Sequence, residues 1–223
     1  MMTNLFSTFD PATTPMMSMN WMSTVMCMMM IPTSYWILPN RVSMTMNIII
    51  NKLYNEFKLL MGLNSKGMTL MMVSLFMFIL VNNLMGLLPY IFTSSSHMVY
   101  TLTMALPLWM SLMMYGWMNH TNHMFAHMIP MGTPALLMPF MVLIETISNI
   151  IRPGSLAVRL TANMIAGHLL MSLLGNNATN TKSIILPLII SIQIILMMFE
   201  SAVALIQAYV FSVLSTLYSS EIM

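Results

Sequence analysis

The sequence predicts an all-α integral membrane protein with five membrane segments and one amphipathic surface helix in a single domain. Of its 223 residues, 58% are hydrophobic and only 5% are charged, whereas soluble domains carry about 25% charged residues. The apolar runs are long, rich in Leu, Met and Ile, and show no strict polar–apolar alternation. They therefore favour helices and argue against a transmembrane β-barrel.

The small number of charges excludes several classes of function. The formal net charge is +2, and no run of Lys or Arg forms a patch that would bind phosphates, so we expect no nucleic-acid partner. The single cysteine, Cys27, excludes a disulfide framework. We expect it to be a structural thiol.

The first two elements are predicted to be a span and a surface helix. Residues 16–38 supply the roughly 20 apolar residues that a span needs. Residues 41–66 form the amphipathic helix, whose apolar residues recur at helical spacing: Ile49, Leu53, Phe57 and Leu60. Four of the seven basic residues lie in the same segment: Arg41, Lys52, Lys58 and Lys66. The positive-inside rule places this segment on the inner side of the membrane and Met1 on the outer side.

The next two spans are predicted at residues 68–88 and 102–118, and Pro107 is expected to kink the second. The inner loop 119–133 holds three histidines: His120, His123 and His127. No cysteine or carboxylate stands nearby, so we expect surface histidines rather than a metal site.

The last two segments, 134–175 and 184–218, are predicted to form a long, strongly tilted antiparallel helical hairpin with a polar turn, GNNATNTKS, between them. As straight helices they would be roughly 60 and 50 Å long, against a hydrocarbon core of about 30 Å. They must therefore tilt strongly, bend or break, and Pro153-Gly154 is a candidate bend.

The charged residues that lie inside long apolar segments are found mainly in this hairpin. Its first arm contains Glu145, Arg152, Arg159 and His168. On an ideal helix Glu145 and Arg159 lie within about 40° of each other, whereas His168 faces about 180° away from Arg159. On the second arm Glu200 and Gln207 share a face. Because charges inside a membrane usually face protein or water, this pattern predicts an ion path.

Proton transfer through a membrane needs groups that exchange protons and a barrier that prevents a direct leak. The candidate relay groups are Glu145, His168, Glu200 and Glu221. Arg159 keeps its proton, so it is a candidate gate that repels protons and attracts a carboxylate on a partner helix. The alternative is an internal salt bridge of Arg159 with Glu145 or Glu200, and spacing alone favours neither.

Five motifs are specific enough to identify a family: NNLMGLLPY, MALPLW, HMIPMGTPALLMPFMVLIETIS, AVRLTANMIAGHLL and ESAVALIQAYVFSVLSTLY. With them the chain closely resembles, nearly end to end, subunit a of the rotary ATP synthase in its animal mitochondrial form. The resemblance implies the stator side of a proton path against a rotating ring of subunit c, without ATP chemistry and without a cofactor.

The resemblance also implies roles for single residues. Arg159 matches the arginine that meets the ring carboxylate and prevents the two half-channels from short-circuiting. The other matches are His168 and Glu200 in the half-channel from the intermembrane space, Glu145 and Glu221 in the matrix half-channel, and Asn163 and Gln207 as polar neighbours of the arginine. Arg152 matches no assigned role, so we expect it to pair with Glu145 or to extend to the membrane interface.

The implied location is the mitochondrial inner membrane, with the N-terminus toward the intermembrane space and the C-terminus toward the matrix. The implied partners are the subunit c ring, other membrane and peripheral-stalk subunits, and lipids. Two alternatives remain: a self-contained ion channel or secondary transporter, and a non-catalytic membrane subunit of a respiratory redox complex. The sequence shows no internal repeat, and its histidines lie mainly in one loop, which weighs against both.

Overall fold

The computed structural model describes residues 5–14, 16–32, 37–62, 67–129, 134, 136–181 and 184–222, and these form no β-strand. Their α-helices are α1 (Met22–Met26), α2 (Arg41–Met61), α3 (Met68–Gly86), α4 (Met98–Asn119), α5 (Thr121–His127), α6 (Met138–Asn180) and α7 (Leu186–Ile222). Four of them, α3, α4, α6 and α7, are long and apolar enough to cross a membrane. The predicted class, an all-α membrane protein, is confirmed.

The predicted first span, residues 16–38, is not confirmed as one helix. A 3-10 turn, α1 and a second 3-10 turn follow one another from Met19 to Met30, and the backbone is extended at Ile31. Pro32 explains this end, since the residue before a proline is driven out of the helical region. The helical stretch is shorter than the roughly 20 residues of a span, and residues 33–36 lie outside the described part. The count of five spans stays a prediction.

Two helices end earlier than predicted, for local reasons. α2 stops at Met61 rather than 66 because Gly62 takes a φ of 74°, which glycine adopts at little steric cost and which does not continue a right-handed helix. α3 stops at Gly86 rather than 88, where Pro89 disfavours a helical Leu88. Residues 63–66, including Lys66, lie outside the described residues.

The last three long helices all end later in the chain than predicted, and α6 and α7 also begin later than predicted. α4 begins at Met98 rather than 102 and contains Pro107. α6 begins at Met138, with Pro139 in its first turn where proline is tolerated, and continues to Asn180 through most of the predicted polar turn. α7 ends at Ile222 rather than 218. The kink at Pro107 and the bend at Pro153-Gly154 stay predictions.

The predicted inner loop 119–133 contains a short helix, α5, instead of irregular chain only. His123 and His127 share a face of α5, and their ring centroids are 6.4 Å apart. Both are exposed, as is His120, so their prediction as surface histidines is confirmed. No group of three or more possible metal ligands occurs among the described residues.

The hydrophobic core lies where α2, α3, α6 and α7 meet. Its largest fully buried apolar side chains are Phe57, Met72, Ile79, Leu160 and Phe211. α2 contributes Leu53, Phe57 and Met61, whereas Ile49 and Leu60 of the predicted apolar face remain exposed. A stripe four residues apart therefore attaches α2 to the protein.

α7 packs with a stripe of small side chains. Five of them are buried: Ala204, Ala208, Ser212, Ser215 and Ser219. The Ser215 hydroxyl contacts the Met72 sulfur of α3 at 3.2 Å. Small residues let helices approach closely where the lipid supplies no hydrophobic driving force. Tyr209 of the same helix is 44% exposed, and its hydroxyl lies 3.4 Å from Glu56.

Candidate functional site

α6 and α7 contact each other in antiparallel order, which brings the polar residues of both helices together. Three contacts follow this order: Arg152 with Glu221, Asn163 with Gln207, and Gly167 with Glu200. They divide the predicted site residues into two clusters with a polar pair between them.

The inner cluster consists of Glu145, Arg152, Tyr218 and Glu221. Nη2 of Arg152 lies 3.2 Å from Glu145 Oε1, and Nη1 lies 3.1 Å from Glu221 Oε2. The guanidinium also lies 5.0 Å from the centroid of the Tyr218 ring, within the range of a cation–π contact. The predicted pairing of Arg152 with Glu145 is confirmed, and Glu221 is a second partner that the sequence did not indicate.

The extension of α7 to Ile222 explains this second partner. The predicted helix ended at residue 218 and left Glu221 in a tail, but Glu221 lies on the last turn of α7. Tyr218 and Glu221 are three residues apart and therefore share a face of that turn. The ring contact and the ion pair consequently act on the same guanidinium.

The outer cluster consists of Gly167, His168 and Glu200. Nε2 of His168 and Oε1 of Glu200 are buried, and neither has a hydrogen-bond partner among the described residues. The Phe9 ring meets the His168 ring edge-on, with 6.3 Å between their centroids. Buried polar atoms of this kind normally have a partner, and a water molecule could supply one here.

A cleft of about 760 Å³ leads to the outer cluster. Its walls include residues 7–10 of the N-terminal segment, the loop 87–93, and the side chains of His168 and Glu200. A second cavity, of about 400 Å³, shares these two side chains and extends to Asn163. The outer cluster therefore borders a cleft on one side and a cavity toward the middle of α6 on the other.

Asn163, which lines this second cavity, forms a polar pair with Gln207. Asn163 Nδ2 donates a hydrogen bond to Gln207 Oε1 over 3.1 Å, and Gln207 is buried. Asn163 follows Arg159 by four residues, so the two side chains lie one above the other on α6. The prediction that Asn163 neighbours Arg159 agrees with this spacing.

Arg159 itself is exposed on α6, between the two clusters. Within the described residues its guanidinium makes no ion pair and no hydrogen bond. The alternative salt bridge of Arg159 with Glu145 or Glu200 is therefore not formed in this part of the chain. Glu145 pairs with Arg152 instead.

Two residues near the site were missed by sequence reasoning. A Cβ atom at Gly167 would lie 2.8 Å from Cδ of Glu200, so an alanine there would require this carboxyl group to move. A glycine inside a helix costs about 1 kcal/mol relative to alanine, and this cost is a signal that could have marked it. Phe9 carries no such signal, because its contact depends on the path of the N-terminal segment.

Comparisons with known proteins show one consistent likeness. Residues 15–220 match the family described as "ATP synthase A chain". The chain is 63% identical to ATP synthase subunit a of Aedes aegypti, 62% to that of Anopheles quadrimaculatus and 60% to that of Drosophila melanogaster. Each alignment covers the full length of both chains. The likeness therefore extends over both clusters.

Proposed function

The chain belongs to the ATP synthase A chain family, and we propose that it forms two offset half-channels against a ring of subunit c, with Arg159 as the barrier between them. As a member of this family it is a proton-translocating membrane subunit of the ATP synthase and does not itself carry out ATP chemistry. It is a multi-pass protein of the mitochondrial inner membrane.

The observation that carries the proposal is the exposed guanidinium of Arg159, which has no partner among the described residues and lies between two clusters of groups that can exchange protons. An arginine at the centre of a membrane helix costs roughly 2.5–3.5 kcal/mol even on insertion scales. Such a charge is expected to face a partner, and a ring carboxylate supplies the opposite charge. Because arginine keeps its proton, it holds the carboxylate without offering protons a direct path.

The outer half-channel is proposed to run from the cleft of about 760 Å³ to His168 and Glu200. From there the cavity of about 400 Å³ continues toward Asn163. The Asn163–Gln207 hydrogen bond fixes the polar surface next to Arg159. Protons would reach the ring on this side of the arginine.

The inner half-channel is proposed to begin at Glu145 and Glu221. These carboxylates lie toward the N-terminal part of α6 and the C-terminal end of α7, away from the outer cluster. A proton released from the ring after it has passed Arg159 would meet them first. The two half-channels are then separated along the helix pair by the arginine.

The proposed arrangement requires α6 and α7 to lie obliquely as a strongly tilted hairpin. α6 has 43 residues and α7 has 37, which correspond to about 65 and 56 Å of helix, well above a core of about 30 Å. The basic residues of α2 support an N-terminus toward the intermembrane space and a C-terminus toward the matrix. With the first segment as a span, the count is five.

The partners in this proposal are the subunit c ring, further membrane and peripheral-stalk subunits, and lipids. Family membership leaves no support for the two alternatives, a self-contained channel or transporter and a redox-complex subunit. A self-contained channel or transporter would conduct ions without the ring.

Replacement of Arg159 by alanine tests the proposal. We expect Arg159→Ala to reduce proton-driven ATP synthesis of the intact complex to background. The ring carboxylate would lose its ionic partner, and the two half-channels would lose the barrier between them. Assembly should persist, since the side chain makes no described contact within the subunit. Lys52→Ala, which removes an exposed cation of α2, is the control and should synthesise ATP normally. Normal synthesis by Arg159→Ala would exclude the barrier role.

A further inference from the structure

We propose that Arg152 is a positioning residue of the inner half-channel, whose guanidinium holds Glu145 and Glu221 together as one paired carboxylate site. The proposal extends the proposed function, because it assumes that these two carboxylates exchange protons there. Neither the family resemblance nor the spacing of residues assigns Arg152 this role.

The geometry of the contacts is that of a fork. Two different nitrogens of Arg152 reach two carboxylates on two helices, at 3.2 Å to Glu145 and 3.1 Å to Glu221. A planar guanidinium presents its donors in a fixed arrangement, so it sets both the distance between its partners and their orientation. A lysine ammonium, a single point charge, does not impose this geometry.

The carboxylates would not remain together without the arginine. Glu145 lies on α6 and Glu221 on the last turn of α7, and like charges at close range repel each other. The Tyr218 ring, 5.0 Å from the guanidinium, keeps Arg152 in place through a cation–π contact. The fork therefore depends on α6 and α7 together and is sensitive to their register.

The position of the fork along α6 suits the inner path. Arg152 precedes Arg159 by seven residues, which is about 10.5 Å of rise and about 20° of rotation on an ideal helix. Arg152 thus lies about two turns from the proposed barrier, and Glu145 lies about four turns from it. The side chains of Glu145, Arg152 and Glu221 are 28%, 25% and 42% exposed, so the described part of the subunit does not enclose the site.

A small cavity beside the fork supports contact with water. Its volume is about 40 Å³, and its walls include Asn149, Arg152, Glu221 and His127. A water molecule needs roughly 10–15 Å³ of such space and several polar partners. Trp109 lines the same cavity, and its buried Nε1 has no partner in the described part of the chain. The charged or titratable groups that line it are Arg152, Glu221, Tyr218 and His127.

The test compares Arg152→Gln and Arg152→Lys with Glu145→Gln and Glu221→Gln in the intact complex, reconstituted in liposomes. Arg152→Gln should slow proton-driven ATP synthesis by between about threefold and about a hundredfold. The upper figure is the loss of rate expected when a reacting group is misplaced by about 1 Å. Arg152→Lys should be faster than Arg152→Gln but slower than the wild type. Lysine keeps the positive charge but cannot make both guanidinium contacts, to Glu145 and to Glu221. Lys52→Gln controls for the loss of one positive charge and should be unchanged.

A double-mutant comparison separates positioning from mere helix attachment. If Arg152 acts through Glu221, then Glu221→Gln should slow the wild-type complex but add little in the Arg152→Gln background. Independent, multiplying effects, or a fall in the amount of assembled complex with a normal rate per complex, would overturn the positioning role.

The same set distinguishes this proposal from the proposed function. If Glu145→Gln and Glu221→Gln slow synthesis but Arg152→Gln does not, the inner half-channel stands and the role of Arg152 is excluded. If neither carboxylate substitution changes the rate, the assignment of the inner half-channel fails, and the role of Arg152 fails with it.

Discussion

Two arginines seven residues apart on α6 have opposite surroundings. Arg152 bonds two carboxylates and contacts an aromatic ring, whereas Arg159 is exposed and has no described partner in the chain. One charge is therefore neutralised within the subunit, and the other remains available to a partner. This difference supports the proposed barrier role for Arg159 rather than for Arg152.

Gly167 provides a test of the outer cluster. Gly167→Ala should force Glu200 to move, because the new Cβ would lie 2.8 Å from its Cδ, and should reduce proton-driven ATP synthesis several-fold. Gly175→Ala on the same helix is a matched control, since its Cβ meets nothing within 4 Å. The rate per assembled complex is the measurement. Equal rates for both variants would mean that the position of Glu200 is not critical.

Glu200 should act as a relay rather than as part of the barrier. Glu200→Gln is expected to slow proton translocation because an amide cannot release the proton, while passive proton leak stays at the wild-type level because Arg159 is intact. Both rates are measurable in liposomes that carry the complex. A sharp rise in passive leak would instead place Glu200 in the barrier.

At the level of single residues, the sequence indicates which groups can exchange protons and offers the pairing of Arg152 with Glu145, but it does not indicate Glu221 as a second partner. The charges of Glu145, Arg159, His168 and Glu200 stand out against apolar neighbours, so they can be identified without a structure. The fork at Arg152 depends instead on the register between α6 and α7. Glu221 falls outside the predicted helix because the polar residues 219–221 end the apolar run, although no proline or glycine there ends a helix.

α7 packs against its neighbours through a stripe of small, buried side chains. Ser212→Leu should lower the amount and thermal midpoint of the assembled complex, because Ser212 is fully buried and overpacking costs about 1–3 kcal/mol. Ser191→Leu on the same helix is the control: Ser191 is exposed, and both hydroxyls donate to the carbonyl three residues earlier. An equally stable Ser212→Leu complex would contradict close packing at this stripe.

The helices themselves are largely predictable from composition and length, because a membrane requires long apolar helices and few other structures. The ends of these helices are less predictable. Gly62 and Pro89 end helices locally, whereas nothing in the polar run after Gly175 prevents α6 from continuing to Asn180. The first segment fails as a continuous helix at Ile31, before Pro32, although its composition alone suits a span.

On the scale of the whole molecule, α6 and α7 form one wall that carries both clusters. The outer cluster borders the cleft made with the N-terminal segment, and the inner cluster borders the cavity made with α4 and α5. The exposed guanidinium of Arg159 lies between them. A ring of helices that passes this wall would exchange protons with one side and then the other.

The most direct test is a density map of the intact complex at a resolution that shows side chains. We expect the Arg159 guanidinium to lie within about 4 Å of a ring carboxylate, the distance of an ion pair, with the outer and inner clusters on opposite sides of that contact. A map in which Arg159 faces lipid or another stator helix, with no ring carboxylate near it, would contradict the barrier role.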